Sequence, residues 1–103
     1  MSTGTQKDET RAYQQFEEAA RQGNPLAYYY VASCLKQGEG APQDLSKATV
    51  LFAKAYNDVE KAAKQGDWLG EFLLGACYDF GNGCERNQAL APDWYHRSAL
   101  KGH

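Results

Sequence analysis

Three cysteines and two histidines are the residues of this 103-residue chain that first suggest a zinc site or a nucleophile pair. Zinc sites favour cysteines two to four residues apart, whereas Cys77 and Cys84 are seven apart and Cys34 is more distant still. A catalytic thiol would need an activating histidine, and neither His96 nor His103 has an obvious apolar setting. We therefore predict no metal site, no catalytic residue and no cofactor, and structural thiols with a Cys77–Cys84 disulfide as the alternative.

Other patterns that can carry chemistry are also weak. The acidic pairs Asp8-Glu9 and Glu17-Glu18 are adjacent in sequence, so their side chains point about 100° apart on a helix and indicate a solvated face. A phosphate-binding loop needs a lysine and a serine or threonine after its last glycine, and neither follows Gly83. An enzyme is kept only as the last of the alternatives.

Charge and hydropathy exclude two classes of partner. The net charge is −2 and no Lys/Arg cluster flanks the run Tyr28-Tyr29-Tyr30, which could otherwise stack bases, so we predict no nucleic acid. No apolar run approaches the roughly 20 residues that span a bilayer, and the polar start MSTGTQKDETR does not resemble a signal peptide. An odd number of cysteines then favours reduced thiols in the cytoplasm, without a membrane partner.

Helical periodicity, caps and breakers divide the chain into elements. Residues 1–7 are predicted to be a disordered lead, and Pro92 is placed in the first turn of the last helix because proline is tolerated there. The five predicted helices are Asp8 to Gln22, Asn24-Pro25 to the residue before Gly38, Leu45 to Gln65, a segment capped by Asp67 and closed by Gly81 and Gly83, and a segment from Asn87 or Leu90 to about Lys101.

An internal repeat organises these helices. The endings AARQG, AAKQG and SALKG close at Gly23, Gly66 and Gly102, at spacings of 43 and 36 residues. Between them, Gly38 and Gly81 lie at equivalent positions of two Gly-x-Gly turns. The seven extra residues of the longer copy lie in the third helix, near residues 56–62, and add almost two turns, so the apolar stripe should stay in phase.

These endings, the Gly-x-Gly turns and the small residues inside the helices resemble the Sel-one-like repeat family, whose units are tetratricopeptide-like helix–turn–helix repeats. The chain differs from the family pattern at Ala41 and Cys84, where valine is usual, and at Asn87, where aspartate is usual. The resemblance implies an all-α, right-handed solenoid fragment of antiparallel helix pairs. It places a single domain at residues 8–103, with a half-unit 8–23, unit one 24–66 and unit two 67–102.

The segment from Asp67 to Gly83 is apolar almost all round, which is typical of a helix buried on both sides. Its core face should carry Gly70, Leu74, Gly75 and Tyr78. In a tetratricopeptide-like unit the first helix lines the concave side, so the second face should bind a partner. The predicted partner-binding residues are Leu26, Tyr29, Ser33, Lys36 and Gln37 in unit one and Leu69, Phe72, Ala76, Asp79 and Phe80 in unit two.

Two interpretations of this second face stay open: the third or last helix covers it, or it is a groove for a partner's helix or extended peptide. The family resemblance implies a non-enzymatic adaptor or scaffold, and the alternative is an immunity protein that neutralises a toxin or effector enzyme. We also predict self-association or partner contact through the C-terminal helix, because its Trp94, Tyr95, Ala99 and Leu100 have no following helix to cover them.

Overall fold

The computed structural model describes the backbone of residues 4–102 and the side chains of residues 7–102. Within that range the chain forms five α helices and no strand, which confirms the all-α repeat fold. The helices are α1 (Gly4–Arg21), α2 (Ala27–Gln37), α3 (Leu45–Lys64), α4 (Trp68–Phe80) and α5 (Ala91–Gly102).

The first helix begins earlier than its sequence indicated. Residues 4–7 belong to α1, so this part of the predicted disordered lead is helical, while residues 1–3 lie outside the described range. The prediction depended on apolar periodicity, which a polar segment lacks. An existing helix nevertheless extends readily, because each added residue gains one hydrogen bond.

The second and fifth helices begin after a short asparagine-stabilised turn. The Asn24 side-chain oxygen accepts a hydrogen bond from the Leu26 amide at 3.1 Å, and the Asn87 side chain accepts one from the Ala89 amide at the same distance. Helix α2 therefore starts at Ala27, two residues later than predicted. Helix α5 starts just before its proline, so the predicted position of that residue in the first turn is confirmed.

The turns after α2 and α4 are built from the same hydrogen bonds, which confirms the 43-residue register. Gly38 and Gly81 have φ of 72° and 71°, and their amides donate to the carbonyl oxygens of Cys34 and Cys77. A positive φ is what glycine adopts without steric cost. Each turn closes on a further equivalent bond, Asp44 N–H to Leu35 O at 2.9 Å and Asn87 N–H to Tyr78 O at 2.7 Å.

Contacts divide the chain into two units, one ending at Phe52 and one beginning at Ala53. In the first unit Tyr30 stacks on Phe16 with ring centroids 4.9 Å apart, so this tyrosine contributes to packing. A Cβ built on Gly40 would lie 2.2 Å from the Glu9 carbonyl oxygen, so the turn packs directly on α1. The buried apolar residues of this unit are Ala20, Ala27, Tyr29, Val31, Ala32, Leu35, Ala48 and Phe52.

In the second unit, two glycines of α4 allow close helix packing. A Cβ on Gly70 would lie 2.7 Å from the Ala62 Cβ of α3, and one on Gly75 would lie 2.8 Å from a ring carbon of Tyr95 in α5. These two glycines, both on the predicted core face, therefore mark the crossings of α4 with α3 and α5. The buried apolar residues of this unit are Ala55, Val59, Ala63, Leu73, Leu74, Ala76, Cys77 and Ala91.

Helix α3 is unbroken through the seven-residue insertion, and Ala55, Val59 and Ala63 are all buried along it. The apolar stripe therefore continues on one face, as predicted. The grouping of residues 8–103 into a single domain, made of a half-unit and two full units, stays a prediction.

Candidate partner-binding surface

Helix α4 presents part of its predicted binding face to solvent. Phe72 is 45% exposed and Phe80 is 61% exposed, whereas Ala76 between them is buried and Leu69 is half-buried. The helix itself is well fixed, because the Asp67 side chain accepts the Gly70 amide at 3.1 Å and a glycine closes the other end. Exposed apolar side chains that form a contiguous patch mark interaction surfaces, so this face of α4 is the candidate binding surface.

Three side chains, Phe72 and Asp79 of α4 and Tyr95 of α5, form what we call the α4–α5 cluster. The Phe72 and Tyr95 rings have centroids 5.6 Å apart, and the Tyr95 hydroxyl donates to Asp79 Oδ2 at 3.2 Å. Gln88 donates its side-chain N–H to Asp79 Oδ1, also at 3.2 Å. Gly75 makes this arrangement possible, since a larger residue would displace the tyrosine ring.

The cluster has a carboxylate held by neutral donors. Burial, followed by the hydrogen bond to Asp79, raises the pKa of Tyr95 to about 12, so the phenol keeps its proton and remains a donor at neutral pH. Over residues 7–102, the salt bridges join Arg21 to Glu18, Lys64 to Glu60 and Lys101 to Glu71, and none involves Asp79. The Asp79 carboxylate is therefore hydrogen-bonded without being neutralised by a cation of the described chain.

The equivalent residues of the first unit are arranged differently. Tyr29 is only 7% exposed and contacts Phe52 edge-on, with ring centroids 5.1 Å apart. The Lys36 ammonium lies 5.8 Å from the centroid of the same Phe52 ring. Of the other residues predicted here, Leu26 and Ser33 are half-buried and Gln37 is exposed.

The structure answers the two interpretations of the α4 face residue by residue. The Tyr95 ring of α5 packs against Phe72 and Ala76 is buried, as the covered-face interpretation required, while Phe72 and Phe80 keep exposed surface, as the groove interpretation required. Tyr29 and Ala76 are buried and offer a partner little area. That the predicted set binds a partner stays a prediction.

Three residues that shape this surface, Trp68, Gln88 and Tyr95, were not among the predicted partner-binding residues. Trp68 is 47% exposed one turn before Phe72, and the i, i+4 spacing of the two aromatic residues could have indicated it. Tyr95 was considered only as part of the C-terminal helix. Gln88 has no sequence signal that would have linked it to Asp79.

An ion pair between a buried glutamate and a partly exposed lysine positions α5 against α4. Glu71 is 2% exposed, its Oε2 lies 2.8 Å from the Lys101 ammonium, and its Oε1 has no hydrogen-bond partner. Lys101 also donates to the Gly66 carbonyl, and the Ser98 hydroxyl donates to the Trp68 carbonyl at 2.8 Å. These contacts fix the end of α5 and thereby the helix that carries Tyr95.

The three cysteines are free, so the alternative of a Cys77–Cys84 disulfide is not borne out. Burial raises the pKa of Cys77 to about 12, and burial also raises the pKa values of Cys34 and Cys84. A thiol that is protonated at neutral pH is a poor nucleophile and metal ligand. Across residues 7–102, no three His, Cys, Asp or Glu side chains are grouped so that they could hold a metal ion.

No helix in the described part of the chain combines the length and apolar character needed to span a membrane.

Comparison with known proteins identifies three repeats in this sequence. The family model described as Sel1 repeat matches residues 1–24, 25–58 and 68–103, leaving unmatched a segment that overlaps the end of the predicted insertion. A solved Sel1 repeat protein from Oxalobacter formigenes is similar over 91% of this chain and 36% of its own, with 26% identity and a TM-score of 0.52.

Two curated relatives are similar over shorter segments. Chitin synthase regulatory factor 3 of Schizosaccharomyces pombe is 37% identical over 51 residues, which is 50% of this chain and 6% of that protein. DAP3-binding cell death enhancer 1 of Rattus norvegicus is 46% identical over 43 residues, which is 42% of this chain and 8% of that protein. The chain thus spans less than a tenth of the length of these relatives.

Proposed function

Because the chain belongs to the Sel1 repeat family, we propose that it is a non-enzymatic interaction module that binds a helix or extended segment of a partner protein on the concave face. The observation that carries this proposal is the exposure of Phe72 and Phe80 on the rigid, capped helix α4. Anchors of this kind, aromatic and fixed by their surroundings, contribute most of the energy in helix-in-groove and peptide complexes.

Family membership supports the same conclusion. Sel1 repeats are generally protein–protein interaction modules. One relative is named for binding the protein DAP3 and another for regulating chitin synthase. The raised thiol pKa values described above give no support to a nucleophilic enzyme.

The experiment is selection of ligands from a random peptide display library on the folded protein, followed by measurement of Kd by fluorescence anisotropy. We expect selected peptides to bind Phe72→Asp at least about tenfold more weakly, because a charge replaces an aromatic anchor that the peptide would bury. The matched control is Val50→Asp, which places the same charge at an apolar residue of α3 that is 67% exposed. This control should bind with unchanged affinity.

Circular dichroism and thermal melting decide whether the variant is folded. Since Phe72 is nearly half exposed, Phe72→Asp should remain folded with a modest loss of stability. A folded variant with undiminished affinity would contradict the proposal. Unfolding of Phe72→Asp would assign this ring to the core, and Phe80→Asp would then test the surface at a more exposed position of the same helix.

The more specific roles follow from the same surface. We propose an adaptor in the cytoplasm, which the three free thiols support. An immunity role would use the same face with one dedicated enzyme as partner, and no feature of the structure favours it over an adaptor. Self-association through the C-terminal helix also stays a prediction, supported by Leu100, which is 74% exposed.

A further inference from the structure

The internal repeat provides a comparison for the α4–α5 cluster within the same chain. Each member of the cluster has an equivalent 43 residues earlier, Tyr29 for Phe72, Lys36 for Asp79 and Phe52 for Tyr95. The two sets lie at equivalent positions of the repeat, beside turns of the same geometry, so they can be compared residue by residue.

In the first set, Tyr29, Lys36 and Phe52 contact one another within the chain. Tyr29 and Phe52 are 7% and 4% exposed and contact each other edge-on. The Lys36 ammonium lies over the Phe52 ring at 5.8 Å, within the range of a cation–π interaction. In this unit the chain therefore supplies both the aromatic rings and the cation.

The second set has the rings but an anion in place of the cation. Phe72 is 45% exposed, and Asp79 accepts one hydrogen bond on each oxygen, from Tyr95 and from Gln88. Arg86 donates its Nε to the Asp79 main-chain carbonyl at 3.1 Å and forms no salt bridge with the carboxylate. Each carboxylate oxygen still has a lone pair for a further donor.

A carboxylate and an exposed aromatic ring in the same cluster can attract a positive charge through two independent interactions. The ring face attracts a cation electrostatically, and the carboxylate forms charge-assisted hydrogen bonds with it. Of the two basic side chains, arginine combines both, because its planar guanidinium stacks on a ring while its fork of N–H groups reaches a carboxylate.

We propose that the α4–α5 cluster binds a basic side chain of the partner segment, with arginine favoured over lysine, whose cation lies against Phe72 and pairs with Asp79. This proposal rests on the proposed function and specifies the partner's chemistry: a segment with an arginine next to an apolar residue for the remaining surface of α4. In the second unit the partner thus supplies the charge that Lys36 supplies in the first.

The test uses peptides selected from the random display library on the full chain, each labelled with fluorescein. We expect the selected sequences to share an arginine, and replacement of that arginine by glutamine to weaken binding about tenfold or more, as expected for loss of a charged hydrogen-bonded pair. Replacement by lysine should have a smaller effect. Asp79→Asn should weaken binding of the arginine-containing peptide to a similar degree. It should leave the affinity for the glutamine-substituted peptide almost unchanged.

Asp79→Asn removes the charge while keeping groups that can bond to Gln88 and Tyr95, so the variant should remain folded. Glu85→Gln is the matched control, because it removes one negative charge from an exposed residue of the following turn, and it should leave the affinity unchanged. Binding that depends on Phe72 but is equal for arginine, glutamine and glutamate peptides would overturn this proposal and leave the proposed function standing. Binding that does not depend on Phe72 would overturn both.

Discussion

The ion pair between Glu71 and Lys101 yields the sharpest test of how the second unit is held together. Replacing Lys101 by methionine keeps most of the unbranched side chain and removes its charge. Glu71 then remains almost fully buried with neither carboxylate oxygen bonded, because Oε1 already lacks a partner. The Gly66 carbonyl loses its donor as well.

The expected cost can be estimated from burial. Removing one partner of a fully buried pair costs about 3–5 kcal/mol. The Lys101 side chain is 46% exposed, so water can replace part of what it supplies, and we expect a loss of about 2–3 kcal/mol in the free energy of unfolding. For a chain of this length that lowers Tm by roughly 10–20 °C.

Urea denaturation followed by circular dichroism measures this free energy. Lys64→Met is the matched control, since Lys64 pairs with Glu60 at 3.4 Å on an exposed face and should contribute less than about 0.5 kcal/mol. The double variant Glu71→Leu/Lys101→Met should recover most of the loss, because it removes the unpaired buried charge. Equal costs for the two lysine replacements would refute the reasoning.

Three further predictions concern the turns, a thiol and the C-terminal helix. Gly40→Ala should destabilise more than Gly23→Ala as judged by Tm, because both positions have positive φ but only Gly40 packs on backbone, whereas a Cβ at Gly23 meets nothing within 4 Å. Cys77 has a pKa of about 12 when folded against 9.0 ordinarily. The contribution of this thiol to the free energy of unfolding is therefore fully present below pH 9 and should fall by about 1.4 kcal/mol per pH unit above it. In urea titrations, the free energy of unfolding of Cys77→Ala should fall less steeply with pH than that of the wild type. Sedimentation should show concentration-dependent association of the wild type that Leu100→Asp reduces, and a strictly monomeric wild type at high concentration would contradict this.

The helix ends, the helix caps and the core face of α4 could be predicted because the signals for them are local. Gly38, Gly81 and Asp67 each act within a few residues of their own position, where sequence patterns are informative. Gly75 was correctly placed on the core face of its helix, and the ring of Tyr95 occupies the space that a side chain at this position would take.

Burial and distant pairing could not be predicted in the same way. Tyr29 and Phe72 occupy equivalent positions, yet one is 7% and the other 45% exposed, because exposure depends on what packs over each residue. Glu71 and Lys101 are 30 residues apart and carry charges that usually indicate surface positions. Only the packing of α5 on α4 brings them together.

The two glycines that allow α4 to pack closely on its neighbours also make it unstable as an isolated helix. Gly70 and Gly75 each lower intrinsic helix stability by about 1 kcal/mol relative to alanine, and helices shorter than about 12–15 residues are marginal in water. Helix α4 has 13 residues, so its helix–coil equilibrium in isolation should favour the coil, and a synthetic peptide of residues 67–81 that showed a strong helical spectrum would contradict this. The aromatic residues of α4 are therefore aligned only when α3 and α5 are folded around them. Partner recognition is thus coupled to the folding of the whole second unit.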